Sequence, residues 1–205
     1  VNDGTTDSAS TYTMTIDVTA VNDAPTAADN TVTTNEDTDH TFSESEFGFS
    51  DVDGDSLDHV SIETLPSNGT LLLDGVAVTL GQDIPAADIS NLVFRPAADA
   101  NGASYDTFTF SVNDGTTDSA STYTMTIDVT AVNDAPTAND DTINVVSGTP
   151  ATGNVVTSND TDPDGDTLSV SAIAGGSPGS PITGTYGTFT LDSVSYTHLT
   201  LPTKP

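Results

Sequence analysis

Apolar and polar residues alternate along two stretches in the middle of the chain. Residues 123–129 read Tyr-Thr-Met-Thr-Ile-Asp-Val, and residues 105–112 alternate in the same way. A period of two, with aromatic and β-branched residues on one face, predicts half-buried β-strands. The Asn-Asp-Gly turn sequence at 113–115 lies between the two stretches. The pattern therefore predicts a hairpin over residues 105–129.

Shorter apolar runs upstream predict further strands at 57–65, 70–73, 76–80 and 91–94, and one helical turn is expected within 83–90. About seven strands in one module of this length favour an all-β fold, an antiparallel β-sandwich with Greek-key connections. Strand alternation predicts the following core residues: Leu57, Val60, Ile62, Leu71, Leu73, Phe94, Phe108, Phe110, Tyr123, Met125, Ile127 and Val129.

A long internal repeat sets the domain organisation. Residues 1–27 are identical to residues 112–138, an offset of 111 positions. An offset of this size is typical of tandem β-sandwich domains. We therefore expect a slice of a longer tandem array, whose modules have neighbouring modules of the same chain as partners. The predicted units are 1–21, the last hairpin of a truncated module; 22–132, a complete module; and 133–193, the start of a third.

The end of the chain has an unusual sequence. Residues 194–205 read VSYTHLTLPTKP, and the first ten resemble the in-frame translation of a transposase-type sequencing adapter. A genuine strand is the alternative, since apolar and polar residues alternate here as well. We interpret 194–205 as a read-through artefact and leave it out of the predicted fold.

The charge of the chain is strongly negative. Thirty-one acidic residues, only four of them Glu, stand against two basic ones, giving a formal charge of −29. Such a chain is not expected to bind nucleic acid or anionic membranes through a basic surface. The absence of cysteine excludes disulfides and thiolate sites. No apolar run has the length of a membrane span, so direct membrane insertion is not expected.

Acidic residues and their amide neighbours recur in clusters. They lie in the repeated linker, after the first strand, and in two Asp-x-Asp-Gly-Asp loops. Many oxygen ligands without His or Cys favour Ca²⁺ over transition metals, whereas solvated Asp-Gly turns or a halophilic surface are the alternatives. Asp160 also begins an EF-hand-like pattern, but its twelfth position is Ser171 rather than Glu. The candidate calcium ligands are Asn22, Asp23, Glu36, Asp37, Asp51, Asp53, Asp55, Asn133, Asp134, Asp160, Asp162, Asp164 and Asp166.

These motifs resemble a known family. The stretch VNDGTTDSASTYTMTIDVTAVNDAP is similar to the last two strands and calcium linker of cadherin repeats. Asp51-Val52-Asp53 resembles the D-x-D ligand pair of those repeats, and Glu36 their acid after the first strand. Residues 22–132 resemble cadherin-like repeats of giant bacterial surface adhesins, and 133–193 the related VCBS-type and tandem-95 repeats.

Some positions depart from the cadherin pattern. Ala131 replaces the first acid of the linker, the L-D-R-E motif is absent, and Val146-Ser147-Gly148 stands where the second module has Glu36. One or two ions per junction are therefore expected rather than three.

The resemblance implies a calcium-rigidified structural extender of a secreted or cell-surface adhesin, associated with biofilm and type I secretion. The location would be extracellular, and surface or matrix polysaccharides or proteins would be bound through other domains. An accessory module of a polysaccharide-degrading enzyme and a carbohydrate-binding module are the alternatives. We expect no enzymatic activity, because neither His40 nor His59 has a nucleophile motif nearby.

Overall fold

A computed structural model describes residues 1–142, 144, 151–156, 159–173, 176–184, 187–191 and 195–200. The described residues form an almost entirely β structure, as the alternation predicts. In this part of the chain, no helix has the length and apolar character needed to cross a membrane.

Residues 30–130 contain nine strands in two sheets. In chain order they are β1 (Asn30–Asn35), β2 (His40–Thr41), β3 (His59–Ile62), β4 (Thr70–Leu73), β5 (Val76–Ala77), β6 (Asp83–Pro85), β7 (Leu92–Arg95), β8 (Gly102–Asn113) and β9 (Tyr123–Thr130). The first sheet has the order β1-β9-β8-β3-β6, and the second has the order β2-β7-β4-β5. The chain crosses repeatedly between the sheets, which is the arrangement of a β-sandwich.

One pairing differs from the predicted antiparallel arrangement. β1 runs parallel to β9, with Val32 opposite Ile127, whereas the other strand pairs of both sheets are antiparallel. Because β1 follows the linker and β9 precedes the next one, this pairing holds the two ends of the module together.

The core lies between the two sheets. Ten of the twelve predicted core residues are buried, and Leu73 and Tyr123 pack partly buried against the cluster. Sequence alternation missed Phe42 and Phe47, which precede and end a short 3-10 helix at Glu44–Phe47 and pack against Phe108 and Phe110. A second 3-10 helix, Ala86–Asn91, forms where one helical turn was predicted and buries Ile89.

Residues 1–21 contain no strand, although their sequence is that of residues 112–132. Met125 is completely buried, whereas the equivalent Met14 is 85% exposed, and Ile127 and Ile16 differ in the same way. The strand of Met125 is paired on both sides, and its side chain faces the second sheet. Among the described residues, Met14 has no paired strand and no facing sheet. The two strands expected within 1–21 therefore do not form in this structure, although the turn between them does, with Asn2 bridging Asp7. The proposed domain boundary at 21 stays a prediction.

A separate four-stranded sheet follows the second linker. It contains β10 (Ala151–Asn154), β11 (Pro181–Gly184), β12 (Gly187–Leu191) and β13 (Ser195–Thr200), in the order β10-β13-β12-β11. β13 lies in the segment interpreted above as read-through, so that segment has strand structure here. Its origin stays a prediction, because alternating residues form a strand whatever their source.

Candidate metal centre between the modules

The linker is fixed to the module that follows it by a backbone contact. The N–H of Asp134 donates to Asp164 Oδ2 at 2.7 Å, and Thr137 and Thr161 bridge through their backbones. The first linker shows the same arrangement, since the N–H of Asp23 donates to Asp53 Oδ2, also at 2.7 Å. The repeated sequence therefore forms the same local structure at both linkers.

The Asp-x-Asp-Gly-Asp loops are held by their first aspartate. Asp51 Oδ1 accepts from the backbone N–H groups of Asp53 and Asp55, at 2.8 and 3.2 Å. Its Oδ2 is buried and has no hydrogen-bond partner. Asp162 Oδ1 makes the corresponding bonds to Asp164 and Asp166. One oxygen of the first aspartate thus shapes the loop, and in Asp51 the other is left without a protein donor.

One group of acidic residues includes members from both modules and from the linker between them. One carboxylate oxygen each from Glu36, Asp134 and Asp164 lies within 4.8 Å of the other two. Glu36 follows β1, Asp134 is in the linker, and Asp164 belongs to the loop of the next module. We call these three residues the bridging group. Its carboxylates come from both sides of the linker and from the linker itself.

Glu36 is the most enclosed member of the bridging group, with only 3% of its surface exposed. Asn101 Nδ2 donates to its Oε2 at 2.9 Å, and the backbone N–H of Val132 donates to its Oε1. These two hydrogen bonds, the one from Asn101 having the larger effect, lower the pKa of Glu36 against the opposing effect of burial. Glu36 is therefore held ionised and fixed in orientation.

A second acidic group shares Asp134. Its members are Asp37, Asp99 and Asp134, again with one oxygen each within 4.8 Å. Asp37 and Asp99 both have left-handed backbone, with φ of 56° and 54°, and the N–H of Asp99 approaches Asp37 Oδ1 at 3.3 Å. This conformation is uncommon outside glycine, although Asp tolerates it better than most residues. We call these three residues the turn group.

Asp134 belongs to both groups, and its carboxylate is repelled by the other members of each. Its desolvation raises the pKa of its carboxyl, and the charges of Asp99, Asp164, Asp37 and Glu36 raise it further. Its Oδ2 is buried without a hydrogen-bond partner. A cation between these carboxylates would remove the repulsion and supply the missing partner.

The size of the two groups suits Ca²⁺. Calcium takes six to eight oxygen ligands at about 2.3–2.6 Å, so ligand oxygens on opposite sides of an ion lie about 5 Å apart. Oxygens within 4.8 Å of each other fit inside such a shell. A third group of the same size, Asp51, Asp53 and Asp55, lies at the other end of the complete module.

Three further candidates have hydrogen bonds of their own. Asn22 and Asn133 donate their side-chain amides to the carbonyls of the residues that follow them, Asp23 and Asp134. Asp160 Oδ1 accepts a hydrogen bond from the backbone N–H of Asn139, so this oxygen has a protein partner. The third-module residues 146–148, which stand where the second module has Glu36, lie outside the described part of the chain.

Sequence reasoning missed Asp99 and Asn101. Neither lies in an acidic run, and Asp99 stands 62 residues after Asp37. The fold brings them together because the segment between β7 and β8 passes beside the turn between β1 and β2. The one local signal is the Asp-Ala-Asn-Gly sequence at 99–102, directly before the long strand β8.

Both described histidines outside the final strand contact carboxylates. His40 Nε2 lies 3.2 Å from Glu46 Oε1, and His59 Nδ1 lies 2.8 Å from Asp58 Oδ2. His59 also has Asp83 at 3.8 Å on its other nitrogen. Each imidazole therefore lies beside carboxylates of a strongly acidic chain.

Comparison with known families identifies the modules. The sequence profile of the bacterial Ig domain matches residues 22–130 and again residues 133–203. The chain belongs to the bacterial Ig domain family, whose members are often extracellular or surface modules. No curated protein matches the chain significantly.

Proposed function

We propose that this chain is a calcium-dependent structural extender in a large secreted or cell-surface bacterial adhesin. Tandem Ig-like modules supply length, and Ca²⁺ at the junctions limits bending between them. Cell adhesion and biofilm formation are the processes that such an array serves. Support comes from the family, the exact repeat and the acidic groups at the linker.

The single observation that carries the proposal is the shared position of Asp134. It lies in the linker and contributes to the bridging group and to the turn group at once. An ion in the bridging group would hold Glu36 of one module and Asp164 of the next. The linker could then no longer move independently of either module.

The geometry favours two ions per junction, with Asp134 as the shared ligand. Each group offers three carboxylates, and backbone carbonyls and water would complete a shell of six to eight oxygens. This agrees with the one or two ions expected from the departures from the cadherin pattern. The cadherin-like character of the junction is part of the proposal.

Calorimetric titration of the 205-residue chain with Ca²⁺ tests the proposal. The expected dissociation constants are about 10⁻⁴–10⁻³ M, as for other extracellular calcium modules. Glu36→Gln should weaken binding, whereas Asp74→Asn should not, because Asp74 lies in an exposed Asp-Gly turn between β4 and β5. The absence of calcium binding in the wild-type chain up to about 10 mM would contradict the proposal.

A further inference from the structure

Arg95 is the one basic side chain in the complete module, and it is paired with a single acid. Its Nε donates to Asp39 Oδ1 at 2.8 Å, and its Nη2 donates to Asp39 Oδ2 at 2.7 Å. This two-bond fork is the strongest geometry for an Arg–carboxylate pair.

The fork joins the two segments that carry the turn group. Asp39 stands two residues after Asp37, and Arg95 stands four residues before Asp99. β2 and β7 pair antiparallel with His40 opposite Phe94, so Asp39 and Arg95 extend the ladder by one position. Beyond that position the two segments separate and meet again where the Asp99 N–H approaches Asp37 Oδ1.

Both ligands beyond the fork have backbone that is unfavourable for most residues. Asp37 and Asp99 each have a positive φ, as noted above. Such conformations persist where the surrounding contacts hold them in place. The Arg95–Asp39 fork joins the two segments next to the β2–β7 ladder.

We infer that Arg95 is a positioning residue for cation binding at the junction: its fork with Asp39 holds Asp37 and Asp99 in ligand geometry. This inference rests on the proposed calcium function. The positive charge of Arg95 by itself would weaken cation binding nearby, whereas its positioning role would strengthen it.

The charge of Arg95 and its positioning role predict opposite changes in Ca²⁺ affinity when Arg95 is replaced. Removing Arg95 takes away a positive charge, so a purely electrostatic effect would strengthen Ca²⁺ binding. Loss of positioning would weaken it, by about threefold to fivefold if the fork contributes as much as the better exposed ion pairs do. Both residues are partly exposed, so the charge effect is screened and can be checked at two salt concentrations.

The experiment measures Ca²⁺ affinity by calorimetry for the wild-type chain, Arg95→Gln, Arg95→Lys, Asp39→Asn and the double variant Arg95→Gln/Asp39→Asn. We expect Arg95→Gln and Asp39→Asn each to weaken binding, and the double variant to be no weaker than the worse single one. Arg95→Lys keeps the charge without the fork, so it should also bind more weakly than wild type. Asp74→Asn is the control for a remote change of charge.

Two results would overturn the inference while leaving the calcium function standing. The first is tighter binding by Arg95→Gln with wild-type affinity in Arg95→Lys, which is the pattern of charge alone. The second is an unchanged Ca²⁺ affinity in all variants, while the variants melt at a lower temperature than the wild-type chain in chelator. That is the pattern of an ion pair that only stabilises the fold. A wild-type chain that binds no calcium overturns both this inference and the proposed function.

Discussion

Asp134 donates its backbone N–H to Asp164 at 2.7 Å, and this bond brings two carboxylates of like charge together. The contact ties the linker to the next module, and Glu36 adds a third carboxylate from the module before. Such an arrangement is costly without a counter-ion, because like charges at this distance disfavour ionisation. The junction therefore combines a backbone held in place with carboxylates that repel one another.

Because the pKa of Asp134 is raised, we expect the substitution Asp134→Asn to change the melting temperature in opposite directions with and without calcium. An acid whose pKa is raised on folding destabilises the fold when ionised, so Asp134→Asn should raise the melting temperature of the chain in chelator. In calcium the same variant loses a shared ligand, so it should melt below wild type. Thermal unfolding in both conditions, with Asp74→Asn beside it, measures the effect. Destabilisation of Asp134→Asn in chelator would show that its charge is not under repulsion.

The two repeated loops offer a matched comparison. Asp53 and Asp164 occupy the same place in their loops and accept the same linker hydrogen bond, but among the described residues only Asp164 also lies beside Glu36. Asp164→Asn should weaken calcium binding by about tenfold or more, and Asp53→Asn by less. Equal losses, measured by calorimetry, would mean that Glu36 adds nothing to the site.

Part of this site follows from the sequence, and part does not. Asp164 and Asp134 were predicted because their motifs repeat at a fixed offset. Likewise, the buried residues of β8 and β9 followed from alternation, as with Phe108 and Met125. Asp99 could not be found in this way, since its neighbours in the site are remote along the chain and only the packing of two sheets brings them near.

The missed core residues have a similar explanation. Phe42 and Phe47 flank or end a 3-10 helix, where neither a period of two nor a period of 3.6 operates. Conversely, residues 12–18 alternate between apolar and polar residues but form no strand in this structure. Burial depends on a facing sheet as well as on the pattern, which is why Met14 and Met125 differ.

Asp106 gives a prediction for acid stability. Burial acts to raise the pKa of its carboxyl, but the N–H groups of Ser67, Asn68, Gly69 and Thr107 together lower it. Its stabilising contribution is therefore present above the unfolded pKa, near 4, and is lost as the pH falls through the lower folded value.

Replacing Asp106 by Asn should reduce the free energy of unfolding by about 1.5–3 kcal/mol at pH 7, since charged hydrogen bonds contribute about that much. Denaturant unfolding at pH 7 and at pH 3 in chelator checks this. The difference from wild type should shrink at the lower pH, because the Asp106 carboxyl of the unfolded chain is then protonated and folding must release that proton. A difference that stays constant with pH would contradict a role for its charge.

Calcium should stabilise the chain more than magnesium does. At a free calcium concentration one hundred times the dissociation constant, each site adds about 2.7 kcal/mol to the free energy of unfolding. Magnesium needs a tighter octahedral shell and keeps its waters, so it should substitute poorly. Melting temperatures in equal concentrations of either ion, at matched ionic strength, test this. Equal stabilisation by the two ions would indicate general charge screening.

The central claim is that calcium bound across the linker stiffens the junction between the modules. Small-angle X-ray scattering of the 205-residue chain, in calcium and in chelator at matched ionic strength, tests it most directly. The account predicts a larger maximum dimension and a narrower distribution of shapes in calcium, with Asp134→Asn losing the difference. Identical scattering of the wild-type chain in the two conditions, despite measured calcium binding, would contradict it.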